Sequence, residues 1–307
     1  MHILVMGAGG VGGYFGAVLA KAGYDVTFLA RGRHLTAMES NGLKITSTKG
    51  DFHLRSVNVV ESLESVGQVD VIMLAVKAWQ VQECVRGLNR LKANKYMIVP
   101  LQNGVESYDE VCEIVGRERT LAGSTKIISY LERPGHVVHL GVEPEITFGE
   151  WDNCRSERVQ RFADCLKQAG IKYDVPDSIQ EELWKKFLFL APCAGVGSVT
   201  QMPIGDIRSV PETRRMLSDA MKEVYELAKH HGVSLPESFV DRCMAGVETM
   251  RPDATFSMQR DFAAKKPSEL HYLNGAVVRL AEPKGLPVPV NSFIYASLLP
   301  AERQARG

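Results

Sequence analysis

The residues of this chain that could do chemistry begin with Gly7-Ala8-Gly9-Gly10-Val11-Gly12, a GxGxxG pattern directly after the apolar run Ile3-Leu4-Val5-Met6. There Gly7 would permit a tight turn, Gly9 would let a diphosphate approach the backbone, and Gly12 would let the next helix pack on the strand. The loop from Gly7 through Ala8, Gly9, Gly10 and Val11 to Gly12 would then hold phosphates at a helix N-terminus, where free N–H groups and the positive end of the dipole face them. Arg31 and Arg33 stand at the end of the second apolar run, and no acidic residue occurs from Val26 to Met38. An acid in that stretch holds a ribose 2′-hydroxyl, whereas a guanidinium fork matches a 2′-phosphate. The pattern therefore points to NADP(H) rather than NAD(H).

Lys186 lies in Glu181-Glu182-Leu183-Trp184-Lys185-Lys186-Phe187-Leu188. Two apolar stripes, Leu183/Phe187/Leu190 and Trp184/Leu188/Ala191, cover much of this helix, so it is expected to be buried in a second domain near a cleft. A lysine there needs a partner or ligand to stay charged. The competing reading is an exposed face with Glu181–Lys185 and Glu182–Lys186 pairs at i,i+4. Glu269 follows Lys266-Pro267-Ser268, which fits a first helical turn favouring an acid. Spacing alone does not bring Glu269 to Lys186. Ser257 and Asn274, taken singly, are ordinary polar residues of helical regions.

These residues need elements to position them. After the first strand, the pattern predicts a helix over 11–22 and buried parallel strands over 25–30, 70–76 and 97–101. Ligands of open α/β sheets lie beyond the carboxyl ends of the strands, which places Lys77 and Asn103 near a cofactor. From 121 the pattern turns to antiparallel strands, with a turn at Arg133-Pro134-Gly135 and a short strand over 145–149. A helix over 156–169 and a strand over 171–175 follow. Pro176-Asp177-Ser178 then caps a helix, and the spacing stays helical to about 281, with Leu217/Met221/Val224/Ala228 and Leu270/Leu273/Val277/Leu280 as stripes. Pro283, Pro287 and Pro289 mark a loop before a last helix from about 292. The expected fold is α/β: a Rossmann-type dinucleotide-binding domain over 1–175, followed by an all-α domain over 176–307.

Composition excludes several classes. Lysine plus arginine and aspartate plus glutamate number 36 each, so net charge near zero argues against a nucleic-acid or membrane-surface partner. The cysteines at 84, 112, 154, 165, 193 and 243 form no CxxC and no cysteine–histidine cluster, as for reduced thiols of a cytoplasmic protein without structural zinc. No metal-like histidine spacing occurs. No signal peptide is expected, because the first apolar run is broken by glycines and no cationic stretch precedes it. The apolar stretch over 187–199 is too short to span a bilayer and contains Pro192, Gly195 and Gly197.

Taken together, the glycine loop with Arg31, Lys77-Ala78-Trp79-Gln80, Gln102-Asn103-Gly104, Glu182-Leu183-Trp184-Lys185-Lys186, and Ser257 followed by Glu269-Leu270-His271-Tyr272-Leu273-Asn274-Gly275 resemble the ketopantoate reductase (2-dehydropantoate 2-reductase) family. The resemblance keeps the motif order over nearly the whole chain. It implies NADPH-dependent reduction of a small keto acid, 2-dehydropantoate, toward pantothenate and coenzyme A. It implies Lys186 as proton donor and Glu269 as the carboxylate beside substrate and cofactor. Asn103 would bridge nicotinamide ribose and substrate, Lys77 would line the cofactor cleft, Arg31 would meet the 2′-phosphate, and Ser257 would help hold the substrate carboxylate. Where the family's pocket carries asparagines, this chain has Leu190, Ala194 and Ala254. Another small 2-keto acid, or an NADP(H)-binding regulator without turnover, are the alternative readings. Helical second domains of such reductases often pair, which makes a homodimer an expectation without an interface pattern behind it.

Overall fold

A computed structural model describes residues 1–92 and 95–307. It divides into two compact units, Met1–Gln102 with Ser107–Ile179, and Asn103–Glu106 with Gln180–Gly307. The division falls after Ile179, not after 175, and the short segment following Gln102 belongs to the helical unit.

The first unit is built on β1 (His2–Met6), α1 (Gly10–Lys21), β2 (Asp25–Leu29), α2 (Gly32–Asn41), β3 (Leu43–Ser47), β4 (Phe52–Leu54), β5 (Asn58–Val60), β6 (Val71–Leu74), α3 (Val81–Arg86), β7 (Met97–Pro100), α4 (Ser107–Val115), β8 (Ala122–Arg133), β9 (His136–Gly149), α5 (Glu157–Gln168) and β10 (Lys172–Asp174). A parallel sheet runs in the order β5-β2-β1-β6-β7, with Ile3 opposite both Val26 and Val71. Successive β1 side chains go to opposite faces, Ile3 and Val5 into one apolar cluster and Leu4 and Met6 into another. Both faces are covered, which is why the strand reads as a continuous apolar run.

A second sheet joins β10, β9, β3 and β4 in that order, with β8 paired to β9. Here two expectations need correction. The short strand over 145–149 is the end of a fourteen-residue strand, β9. The sheet is also mixed, because β3 and β10 both run parallel to β9 while β8 runs antiparallel to it. β3 and β10 pair directly with β9, and β4 pairs antiparallel with β3.

Helix α1 lies between the two sheets. A Cβ at Gly12 would stand 2.8 Å from the Val5 side chain, and one at Gly10 would stand 2.6 Å from the Ser129 carbonyl oxygen of β8. The absent side chain at Gly10 is thus required by packing, whatever the loop binds.

The second unit contains α6 (Ile179–Thr200), α7 (Ile204–Ser209), α8 (Pro211–His230), α9 (Phe239–Thr249), α10 (Ser257–Ala263), α11 (Asn274–Ala281) and α12 (Pro289–Arg306). α6 runs through Pro192 without ending. α8 and α12 are tied at the Glu223 carboxylate, which accepts from Val290 N–H at 2.7 Å and Asn291 N–H at 2.9 Å. Those are among the N–H groups that a helix start leaves without partners. The last helix begins at Pro289 rather than 292, since proline's fixed φ suits a first helical position. The expected stripe from Leu270 to Leu280 is not one helix: a 3-10 turn over Leu270–Tyr272 precedes α11. No helix among the described residues is long and apolar enough to cross a membrane.

Candidate active site

Within the helical unit, the sequence-predicted Asn103, Glu269 and Lys186 form one group. Lys186 sits on α6, whose flanking stripes are buried at Leu183, Trp184, Phe187 and Leu188. Of the two i,i+4 pairs in the competing reading, Glu181–Lys185 forms, at 3.5 Å, and Lys185 also takes Glu182 at 2.7 Å. Lys186 itself is half-buried, and desolvation of its ammonium lowers the pKa from 10.5 to about 8. The nearby Glu269 carboxylate pulls the other way and keeps the fall from going further.

Glu269 is 6% exposed and caps the 3-10 turn, its carbonyl accepting from the N–H groups of Tyr272 and Leu273 at 3.0 Å each. Asn103 donates its side-chain N–H to Glu269 Oε2 at 2.9 Å. The reach depends on Gly104, which has φ of +95° and lies so close that a Cβ would stand 2.8 Å from the Tyr272 carbonyl oxygen. Any other residue there would strain the backbone and push the segment off the turn. Arg279 clamps the same segment, donating to Glu106 at 3.1 and 2.6 Å and to the His271 carbonyl at 3.1 Å.

Behind Glu269 stands a feature that pattern reading missed. Glu302 of α12 is fully buried, accepting from Ser268 N–H at 3.2 and 3.1 Å, Ser268 Oγ at 2.5 Å and Arg306 Nε at 2.6 Å. Arg306 also donates to the Ser268 carbonyl at 2.9 Å. The backbone just before Glu269 is therefore fixed from the C-terminal helix. A glutamate and arginine at i,i+4 near a chain end read as a solvated pair, so only tertiary structure reveals this anchor.

In the first unit, Gly7 has φ of +99°, and a Cβ there would stand 2.7 Å from Val76 N. A Cβ at Gly9 would meet nothing within 4 Å, and Gly9 starts α1 with no side chain capping it and no acid in the first turn. The start of α1 thus offers backbone donors on an open surface, which fits an anionic diphosphate. Arg31 starts α2 and is exposed. Lys77 is exposed after β6, its ammonium 5.7 Å from the Trp79 ring centre. Gln102 donates to the Leu74 and Val76 carbonyls at 2.7 and 3.0 Å, which secures the ends of these strands. Ser257 is half-buried at the start of α10 and takes no part in the Asn103–Glu269 bond. Leu190 and Ala194 follow Lys186 at i+4 and i+8 on unbroken α6, hence along one face.

Residues 3–153 match the family described as ketopantoate reductase PanE/ApbA, and residues 178–302 match its C-terminal domain. An uncharacterized oxidoreductase YkpB of Bacillus subtilis is 29% identical over 298 residues, covering 97% of this chain and 98% of that one. A 2-dehydropantoate 2-reductase of Nostoc is 28% identical, covering 96% of this chain and 93% of its own. The solved PanE/ApbA family ketopantoate reductase from Ralstonia eutropha is 28% identical with a TM-score of 0.92, covering 100% of both chains. With both parts of the sequence matched in order, the chain belongs to the ketopantoate reductase PanE/ApbA family of oxidoreductases.

Proposed function

We propose that the chain reduces 2-dehydropantoate to pantoate with NADPH, the step that feeds pantothenate and coenzyme A synthesis. The observation that carries this reading is a lysine on α6 brought to a pKa of about 8 beside Glu269, which Asn103 holds. A dinucleotide bound there would supply the hydride for the keto carbon. Lys186 Nζ gives its proton to the carbonyl oxygen as charge grows there, and then takes another from water. An ammonium near pKa 8 is still charged at neutral pH, yet releases its proton more readily than an exposed lysine. Glu269 keeps the ammonium charged, and Asn103 orients that carboxylate. The α1 N-terminus, Arg31 and Lys77 would hold the dinucleotide, and Ser257 the substrate carboxylate.

The observation favouring a second reading is the apolar face that Leu190 and Ala194 make after Lys186, with Ala254 as a third apolar position. A less polar 2-keto acid would suit it, since a buried hydroxyl left without a partner costs about 1–3 kcal/mol. Steady-state kinetics with a panel of 2-keto acids and both dinucleotides tests the two. The expected result is 2-dehydropantoate as best substrate and NADPH preferred to NADH. Arg31→Ala then removes about tenfold to a hundredfold of that preference, the worth of a charge-assisted hydrogen bond. An unchanged preference in that variant would rule Arg31 out of 2′-phosphate binding, and a better turnover of an unbranched, less polar keto acid would favour the second reading.

The pH profile gives a sharper check. Reduction needs Lys186 protonated, so kcat/KM should fall tenfold per pH unit above about 8. Because Glu269 raises this pKa, Glu269→Gln should shift the falling limb to lower pH. A limb that stays in place in that variant would show that Glu269 does not govern the proton.

A further inference from the structure

His34 lies in the first turn of α2, half-buried, three residues after Arg31. Its ring reaches two other elements of the same unit. Gly135 N–H, in the turn between β8 and β9, donates to Nδ1 at 3.0 Å. Nε2 lies 2.7 Å from the carbonyl oxygen of Ala8, inside the glycine loop. Since Nδ1 accepts, the ring proton of the neutral form is on Nε2, which donates to Ala8. Burial lowers the pKa of the ring, in keeping with a neutral imidazole.

This bond constrains the loop in a specific way. In a trans peptide the C=O and the following N–H point in opposite directions. A carbonyl of Ala8 fixed on His34 therefore turns the Gly9 N–H away from α2. Gly9 is the open position of the loop, where a Cβ would meet nothing within 4 Å, and no side chain caps α1 there. The same ring also sets the spacing between the loop and the start of α2, where Arg31 stands.

We propose that His34 is the positioning residue of the dinucleotide site, holding the Ala8–Gly9 peptide with its N–H aimed at the diphosphate and fixing the distance from that loop to Arg31. The proposal rests on the reading that the glycine loop takes a nicotinamide dinucleotide. The ring acts through the Ala8 carbonyl, so its loss should fall on dinucleotide binding rather than on proton transfer.

The test titrates wild type, His34→Ala and His34→Gln with NADPH, following nicotinamide fluorescence, and measures cofactor KM and kcat alongside. The expected result for His34→Ala is a Kd and cofactor KM raised about tenfold, the worth of one such bond, with kcat at saturation little changed. Glutamine can place a donor and an acceptor at a spacing near that of the two ring nitrogens, so His34→Gln should bind NADPH close to wild type. Wild-type Kd in His34→Ala, or a loss in kcat with Kd unchanged, would overturn the proposal. If His34→Ala does not fold, His34→Gln decides alone, and a tenfold weaker Kd in that folded variant overturns it. Wild type binding neither NADPH nor NADH would instead bring down the dinucleotide reading itself, and the role proposed for His34 with it.

Discussion

Replacement of Lys186 by alanine is expected to lower kcat for keto-acid reduction by about 10²–10⁴, the usual worth of a positioned general acid. The variant should still bind NADPH as wild type does, because the glycine loop and Arg31 lie in the other compact unit. Lys186→Arg separates charge from proton donation. A guanidinium keeps the positive charge but does not give up a proton in this pH range. It should recover binding of an anionic substrate without recovering the rate. A variant with normal NADPH affinity and an undiminished rate would remove Lys186 from the mechanism. Wild type that bound NADPH and turned over no 2-keto acid would favour a regulator instead. The lowered pKa is the reason to expect the larger end of the range. An exposed lysine, protonated far above neutral pH, transfers its proton against a steeper gradient than one near 8.

How much of this was legible beforehand differs between the two units. β1, the glycine loop and α1 could be read directly, because a strand buried on both faces and a glycine-rich helix start leave strong local signals. The second sheet could be read only in part. β10 falls within the strand read over 171–175, but β3 is short and its parallel partner β9 lies far along the chain, so pairing rather than local pattern creates it. Lys186 and Glu269 could be named from motifs, but their proximity could not, since it depends on the 3-10 turn and on a tight approach at Gly104. Of the two local acid–lysine pairs that the spacing offers, Glu181–Lys185 forms, and Glu182 also reaches Lys185, at 2.7 Å. His34 had no signal at all, because its two partners are backbone groups at Ala8 and Gly135.

The anchor behind Glu269 should carry the largest stability effect. Glu302→Ala removes the acceptor for Ser268 N–H, Ser268 Oγ and Arg306 Nε in one step. Removing one member of a buried ion pair costs about 3–5 kcal/mol, chiefly because the other polar groups are left buried without partners. The guanidinium of Arg306 is partly exposed, its side chain at 29%, so water relieves some of its share. Ser268 is fully buried and has no such relief. Thermal or urea unfolding should therefore show the helical unit melting roughly 10 °C lower. Glu302→Gln keeps one oxygen for Ser268 but sets an NH2 donor against Ser268 Oγ or Arg306 Nε, losing the ion pair and one acceptor, so it should fall between. Activity should follow at temperatures where Glu302→Ala is still folded. Ser268 immediately precedes Glu269, and a loosened carboxylate supports the charge of Lys186 less well. The basic limb of the pH profile should then move toward lower pH, as in Glu269→Gln but by less. Unfolding indistinguishable from wild type would mean that the Glu302 bonds are replaced at no cost, and α12 would lose its place as the support of the segment that carries Glu269.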